Sequence, residues 1–402
     1  MIENIKKEYL DRMKKDLTLY NYNLYLESLN NAETHGMTIN FNKLKDSSID
    51  IDYLIKRFCL TEIFINKDYG YYTYDKYHLA QNGIFPGKDP LYYVGLYYIQ
   101  EPSAARVLSQ IEFKTSDIVL DLCASPGGKS IQVLYSLDSK AGGFLISNEI
   151  DKKRVKILNS NIERMGFDNV AILSEDSEIL SNRFENYFDK ILVDAPCSGE
   201  GMFRKSDEAI NQWSLELVNS CSKMQKKLID DAYKMLKSGG TLIYSTCTFS
   251  KDEDEEVIDY IIDKYNDLEI VKMEKNYPFN SIGEGQFYAI IKKNDENRDF
   301  LNSINKSNLT GLNIIRYGIE EWEDKSIGKN THATTHNNKF KFKYEIDLND
   351  EEVYRYLKGE VIKKELDFKG FCKVTYKRLG LGLAKYVQGS LKNHYPKGLR
   401  IY

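Results

Sequence analysis

Long apolar runs are missing from this chain. None of its 402 residues begins a stretch of the ~18 apolar residues that a membrane helix needs. Mean hydropathy is −0.50, and Met1-Ile2-Glu3-Asn4-Ile5-Lys6-Lys7 lacks the apolar core of a signal peptide. No membrane association is expected. Cysteine is sparse, with 6 residues and no CxxC pair, which excludes a disulfide framework and points to a reducing, cytoplasmic setting. The 5 histidines do not cluster with cysteines at zinc spacing. His332 and His336 are four apart, but the polar run 330–338 around them predicts a surface loop, so no metal is expected. An overall positive charge is also missing: 56 Lys and Arg against 60 Asp and Glu leave a net −4, which argues against a uniformly basic nucleic-acid binder. The distribution says more, because residues 371–402 hold Lys373, Lys377, Arg378, Lys385, Lys392, Lys397 and Arg400 and no acid. The 30 tyrosines, several near lysines, offer faces on which bases stack.

The periodicity of what is present predicts an α/β protein with four regions. Residues 1–90 read as a small α/β domain, with a helix over 8–29, a strand over 37–41 and a helix over 50–58. Residues 91–295 alternate strand and helix at the spacing of a doubly wound parallel sheet, with a final strand pair near 268–274 and 286–292 as an antiparallel edge. Residues 296–340 are polar and read as a linker or the start of a C-terminal region, and 341–402 as a small basic module.

Chemistry concentrates at five strand ends, along the edge where open α/β sheets bind ligands. Strand 117–121 runs into Leu122-Cys123-Ala124-Ser125-Pro126-Gly127-Gly128-Lys129-Ser130, a turn whose glycines let a ligand approach and whose following helix offers free N–H groups. It is neither GxxxxGK[ST] nor GxGxxG. The next strand ends at Glu149, placed to accept from two ribose hydroxyls, and the third ends near Asp176, placed to bind an adenine amino group. Cys197, in Asp194-Ala195-Pro196-Cys197-Ser198-Gly199, and Cys247, in Ser245-Thr246-Cys247-Thr248, each follow an apolar strand. A cofactor turn facing two cysteines points to covalent catalysis on a cofactor-bound substrate. The residues alone leave open which cysteine attacks.

From 91 to 293 the chain resembles Sun-type RNA (cytosine-5) methyltransferases, and most closely the bacterial RsmF-like ribosomal RNA enzymes. The resemblance rests on Gly95-Leu96-Tyr97-Tyr98-Ile99-Gln100-Glu101-Pro102, the turn after Asp121, Asn148-Glu149 with Arg154, and Asp194 through Lys205. It continues through Ser245-Thr246-Cys247-Thr248-Phe249-Ser250 and Gly283-Glu284-Gly285-Gln286-Phe287. The tail 391–400 is similar to the close of the family's PUA-like module. Two positions depart from the pattern: Thr38 stands where an arginine is usual, and Asp254 where an asparagine is usual.

The resemblance implies a Rossmann-like methyltransferase core, S-adenosylmethionine as cofactor and RNA as partner, with 16S ribosomal RNA first. A transfer RNA, or a ribosome-assembly role without catalysis, is the alternative. It assigns the nucleophile to Cys247 and gives Cys197 the task of assisting elimination. Asp194 would hold the cytosine edge, with Lys129 orienting it. Cys123, Ala124, Ser125, Pro126, Gly127, Gly128, Lys129, Glu149, Arg154, Asp176 and Asp194 would line the cofactor. Tyr97, Tyr98 and Gln100 are candidates for holding the target nucleotide, and Arg204 and Lys205 for phosphate contacts. The remaining cysteines, Cys59, Cys221 and Cys372, read as packing residues. Oligomeric state is not implied.

Overall fold

The structure, a computed structural model, describes residues 2–65, 68–294, 303–319 and 331–401. Of the stretch read as a linker, 296–302 and 320–330 therefore lie outside the described residues.

Three sheets follow one another along the chain. Strands β1 (His35–Asn40), β2 (Thr61–Ile65), β3 (Tyr69–Tyr74) and β4 (Tyr97–Gln100) pair in the order β2-β3-β1-β4. The second sheet contains β5 (Ile118–Asp121), β6 (Phe144–Asn148), β7 (Val170–Leu173), β8 (Phe188–Asp194), β9 (Leu236–Thr246), β10 (Leu268–Asn276), β11 (Gln286–Lys293) and β12 (Ile314–Tyr317). Its order is β10-β11-β9-β8-β5-β6-β7-β12. The third contains β13 (Glu345–Leu348), β14 (Ile362–Lys363), β15 (Gly370–Tyr376), β16 (Leu379–Val387) and β17 (Ser390–Asn393), in the order β13-β15-β16-β17-β14.

The second sheet is doubly wound. β5 pairs in parallel with β6 on one side and β8 on the other, and β8 in parallel with β9. The chain thus reverses its direction of travel across the sheet at β5, which opens a crevice at the carboxyl ends there. β11 and β10 close one edge antiparallel, as the periodicity predicts. β5 and β6 are buried on both faces except at Phe144, which is why they read as continuous apolar runs rather than alternating ones.

By compactness the chain forms two units, which divide it differently from the four sequence regions. The first comprises 1–35, 100–155 and 171–315; the second comprises 36–99, 156–170 and 316–402. In the first, the helix expected over 8–29 is two helices, Lys7–Asp16 and Leu19–Ser28. The break falls at Leu17, whose backbone is extended, and Thr18 caps the second helix by accepting from Asn21 N at 3.2 Å. Tyr9, Met13 and Tyr25 of these helices form one apolar cluster with Phe203, Trp213 and Phe249. Phe203 and Phe249 follow the two cysteine motifs, so the cluster packs the loops that carry them. In the second unit, the apolar sides of the first and third sheets share one buried cluster that includes Met37, Tyr97, Val374 and Leu381.

The run around His332 departs from the surface loop expected from its polarity. Residues Thr331–Thr335 are helical, and His336 is buried. Gly380 on β16 accounts for the close packing, since a Cβ there would lie 1.6 Å from the Thr335 carbonyl oxygen.

Candidate active site

Parallel pairing of β5, β8 and β9 brings three loops together. Asp121 is level with Leu192, and Asp194 with Ser245. The loops that follow put the sulfurs of Cys197 and Cys247 at 3.2 Å. Three donors converge on Oδ1 of Asp194: Lys129 Nζ at 2.9 Å, Ser245 Oγ at 2.7 Å and Gln286 Nε2 at 3.3 Å. Oδ2 takes none of these bonds, and the side chain is 36% exposed, enough to meet an incoming base.

The cysteine loops are held from behind by buried polar groups. Glu253 accepts from Ser198 N at 2.9 Å and from Ser198 Oγ at 2.5 Å, and Gln225 joins it to the Pro196 carbonyl. Ser198 Oγ also meets Thr248 Oγ1 at 2.8 Å, so the two cysteine loops share one network. Gly201 N donates to the Cys247 carbonyl at 2.8 Å, and a Cβ on Gly201 would lie 3.0 Å from that oxygen, which accounts for glycine there. The hydrogen bond with Cys247, followed by burial, pushes the Cys197 thiol well above its ordinary value, so Cys197 is held protonated.

Glu200 anchors the same loop. It is buried, pairs with the Arg12 guanidinium, and accepts from Trp213 Nε1 at 2.8 Å and Phe249 N at 3.1 Å. Glu200→Gln is expected to cost about 1–3 kcal/mol, because Arg12 would keep its charge in a buried place without a counter-ion. A urea midpoint unchanged from wild type would refute this.

The turn after β5 is tied to the neighbouring strand ends. Ala124 N donates to the Asn148 carbonyl at 2.8 Å, which locks the turn to the end of β6. Gly127 has φ +113°, a conformation that favours glycine, and the helix Gly128–Ser136 starts there. Arg154 donates to the Ser125 carbonyl at 2.7 Å, and Ser125 Oγ donates back to the Arg154 carbonyl at 3.0 Å. Glu149 is buried, and its Oε2 has no hydrogen-bond partner among the described residues, lying 3.5 Å from the Arg154 guanidinium. A buried, unsatisfied carboxylate oxygen at this strand end suits the hydroxyls of a ribose. Asn148 ties Glu175 alongside, accepting from its N–H and donating to its carbonyl, both at 3.0 Å. The adjacent Asp176 caps the helix Ser177–Arg183 and lies 3.5 Å from Lys227. Burial pushes the Cys123 thiol far up, so it contributes backbone rather than reactivity.

Beneath the turn, Asp121 accepts from Ser130 Oγ at 2.7 Å, while its Oδ1 is buried without a hydrogen-bond partner among the described residues. Burial raises it to about 7, against the Ser130 bond. Its folded value is thus above its unfolded one of ~3.9, so the unfolded chain releases a proton between those values that the folded chain keeps. Stability contributed by the protonated form is lost as pH rises through that window. Asp121→Asn is expected to flatten the loss of stability between about pH 4 and 7; parallel pH profiles of the urea midpoint would count against it.

Two family models match the chain. One, described as 16S rRNA methyltransferase RsmB/F, covers residues 108–304; the other, described as the methyltransferase RsmF PUA domain, covers residues 343–401. The ribosomal RNA small subunit methyltransferase F of Shewanella piezotolerans is 31% identical over 377 residues, covering 76% of this chain and 79% of that protein. The chain belongs to the RsmB/F family. The protein of the same description from Vibrio cholerae is 41% identical over 191 residues, and that match spans 40% of its length. Among solved structures, a methyltransferase homolog from Pyrococcus horikoshii has a TM-score of 0.55 at 24% identity, covering 72% of this chain and all of that one. The crystal structure of NSun6 from Pyrococcus horikoshii with SFG has a TM-score of 0.59 at 22% identity, covering 73% of this chain and 99% of that one. At these identities the likeness is one of fold.

Several residues of this RsmB/F chain stand elsewhere than the sequence suggests. Tyr97 and Tyr98 lie on β4 and are buried; the Tyr97 hydroxyl donates to the Pro86 carbonyl at 2.7 Å. Gln100 donates to Gln132 Oε1 at 2.9 Å. Arg204 is buried against Glu284 and donates to the carbonyls of Gly283 and Ser28, and Lys205 donates to the Thr34 carbonyl. Both cations are thus bound within the protein rather than presented to phosphate. Ser245, Gln286, Glu253 and Asp121 were not among the predicted site residues. Ser245 and Gln286 do sit inside the motifs, beside Cys247 and after Gly285, but nothing along the chain shows that both reach Asp194.

Proposed function

We propose that the protein methylates carbon 5 of a cytosine in RNA, with small-subunit ribosomal RNA as substrate and S-adenosylmethionine as methyl donor. The observation that carries this reading is the pair of sulfurs at 3.2 Å beside the Lys129–Asp194 ion pair. Carbon 5 of cytosine is a weak nucleophile. Addition of the Cys247 thiolate at carbon 6 makes carbon 5 enamine-like and able to accept a methyl group. Asp194 bonds the base edge and favours the protonated N3 that develops during addition, and Lys129 fixes its carboxylate. After transfer, loss of the carbon 5 proton to a base expels the Cys247 sulfur and restores the ring. Cys197, protonated beside Cys247, assists that release.

S-Adenosylmethionine, when bound, supplies the electrophilic methyl group. The turn Cys123–Lys129, Glu149, Arg154 and Asp176 hold it in this reading, with Glu149 toward the ribose and Asp176 toward the adenine. The target base must be unpaired or flipped, since carbon 6 is not reachable within a helix.

Incubation with labelled S-adenosylmethionine and either 16S ribosomal RNA or transfer RNA tests the substrate. Label recovered as 5-methylcytosine in the ribosomal RNA is expected, and label confined to transfer RNA would replace the substrate assignment. Lys129→Met is expected to lower kcat about 10²–10³-fold, the scale of losing one electrostatic stabiliser. A full kcat in that variant would remove Lys129 from the mechanism.

A further inference from the structure

The second compact unit contains a recess of about 520 Å³ that the proposed chemistry does not use. Its size falls in the ~300–1,000 Å³ range of small-molecule sites. Its walls combine aromatic rings with polar groups. Tyr92, Tyr93, His332 and Tyr395 contribute rings, and Asn159, Glu163 and Arg400 contribute polar ends.

The site is built rather than incidental. Arg164 lies 3.7 Å over the Tyr92 ring and donates to the Tyr92 carbonyl at 2.7 Å, fixing that wall. Glu163 is held by Arg316 at 2.9 Å. Gly166, at φ +81°, lets the chain approach the His336 carbonyl, which a Cβ would meet at 2.3 Å; Asn337 Nδ2 donates to the Gly166 carbonyl at 2.9 Å.

The two imidazoles carry the chemical argument. Their Nε2 atoms lie 3.4 Å apart, while Nδ1 of each is buried with no hydrogen-bond partner among the described residues. Burial lowers His332 to about 4 and His336 well below the ordinary imidazole value, so both rings are neutral. A neutral imidazole carries one N–H. If one Nε2 donates to the other, the donor ring has a bare Nδ1 and the acceptor ring has Nδ1–H. The pair therefore offers one unfilled acceptor and one unfilled donor. Nε of Arg400 is likewise buried and unpartnered. Nucleobase edges present adjacent donors and acceptors on a flat ring that stacks on aromatic faces. Arg400, in the acid-free stretch 371–402, lines the recess and suits a phosphate.

We propose that this recess holds an unstacked nucleobase of the RNA, distinct from the nucleotide at the cysteines. The inference rests on RNA being the substrate. The test uses the full chain, the four nucleoside 5′-monophosphates, ribose 5-phosphate, inorganic phosphate and a single-stranded 12-nucleotide RNA containing 4-thiouridine.

At least one monophosphate should bind saturably and be displaced by the RNA. Tyr93→Ala should weaken it about 10-fold or more, on the scale of one base–aromatic stack, and Tyr93→Phe should retain it. Irradiation of the wild-type complex should place a crosslink on peptides containing Tyr92, Tyr93 or Tyr395. In methyl-transfer assays, Tyr93→Ala should raise KM for RNA and leave kcat. The proposal is overturned by equal binding of ribose 5-phosphate, by nucleotide binding that RNA does not displace, or by crosslinks confined to other peptides. Methyl transfer to RNA that persists without any crosslink here would sink this site alone; loss of methyl transfer with the crosslink intact would sink only the enzymatic reading.

Discussion

Cys247→Ala is expected to abolish methyl transfer, by ~10⁴-fold or more on the scale seen when a covalent nucleophile is removed. It should form no RNA-linked species on denaturing gels. Cys197→Ala is expected to behave differently: addition and methylation proceed, release stalls, and an RNA-linked adduct accumulates. The asymmetry follows from the site. The two sulfurs touch at 3.2 Å, and the hydrogen bond and burial hold the proton on Cys197. The Cys197 proton therefore lies beside the sulfur that must leave. Both variants should melt near wild type, because neither thiol joins the Glu253 network that holds the loops. If Cys197→Ala were the inactive, adduct-free variant, the two roles would have to be exchanged.

Lys275→Met is expected to cost about 3–5 kcal/mol, the scale of stranding one partner of a buried ion pair. Asp254 is fully buried, accepts from Thr246 Oγ1 at 2.5 Å and lies 2.9 Å from Lys275 Nζ. Lys275 also reaches Glu255 at 2.7 Å. The carboxylate that stands where the family pattern has asparagine is therefore met by a cation from β10. Asp254→Asn keeps the Thr246 bond and leaves Lys275 with Glu255, so it should change stability little. The double variant Asp254→Asn/Lys275→Met should be more stable than Lys275→Met alone, since one fewer carboxylate is left without its cation. Urea denaturation of the three variants closes the cycle. Additive effects would show that Asp254 and Lys275 do not act as a pair. Because Thr246 precedes Cys247, the adduct assay on Lys275→Met also reads whether the nucleophile's loop is held in place.

Much of the core was legible along the chain. β5 lies within the strand expected over 117–121, and the helix Ile51–Phe58 fills the one expected over 50–58. Strands buried on both faces and helices with a single apolar stripe leave strong local signals. The motifs at Asp121, Asp194 and Cys247 were legible for the same reason: each follows a strand, and strand ends in this topology share one crevice. The helix at 331–335 was not legible. Four of its five residues are Thr or His, of weak helix propensity, and its place depends on a glycine at 380, far along the chain.

Arg204 shows the limit most clearly. A basic pair after a glycine-rich loop looks like a phosphate contact, yet Glu284, eighty residues away, takes the charge. Whether a cation faces solvent or a buried carboxylate depends on which segments meet, and local composition does not record that. The sequence by itself determined the fold class and the placing of the Gly127-Gly128 turn and both cysteine motifs after strands, because these rest on periodicity and on short motifs at strand ends. The tertiary structure decided that the sulfurs touch, that Ser245, Gln286 and Lys129 share one oxygen of Asp194, and that Lys275 answers Asp254. Such contacts join residues tens of positions apart, and hydrogen bonds and charge pairs act over ångströms in space, not over positions in the chain.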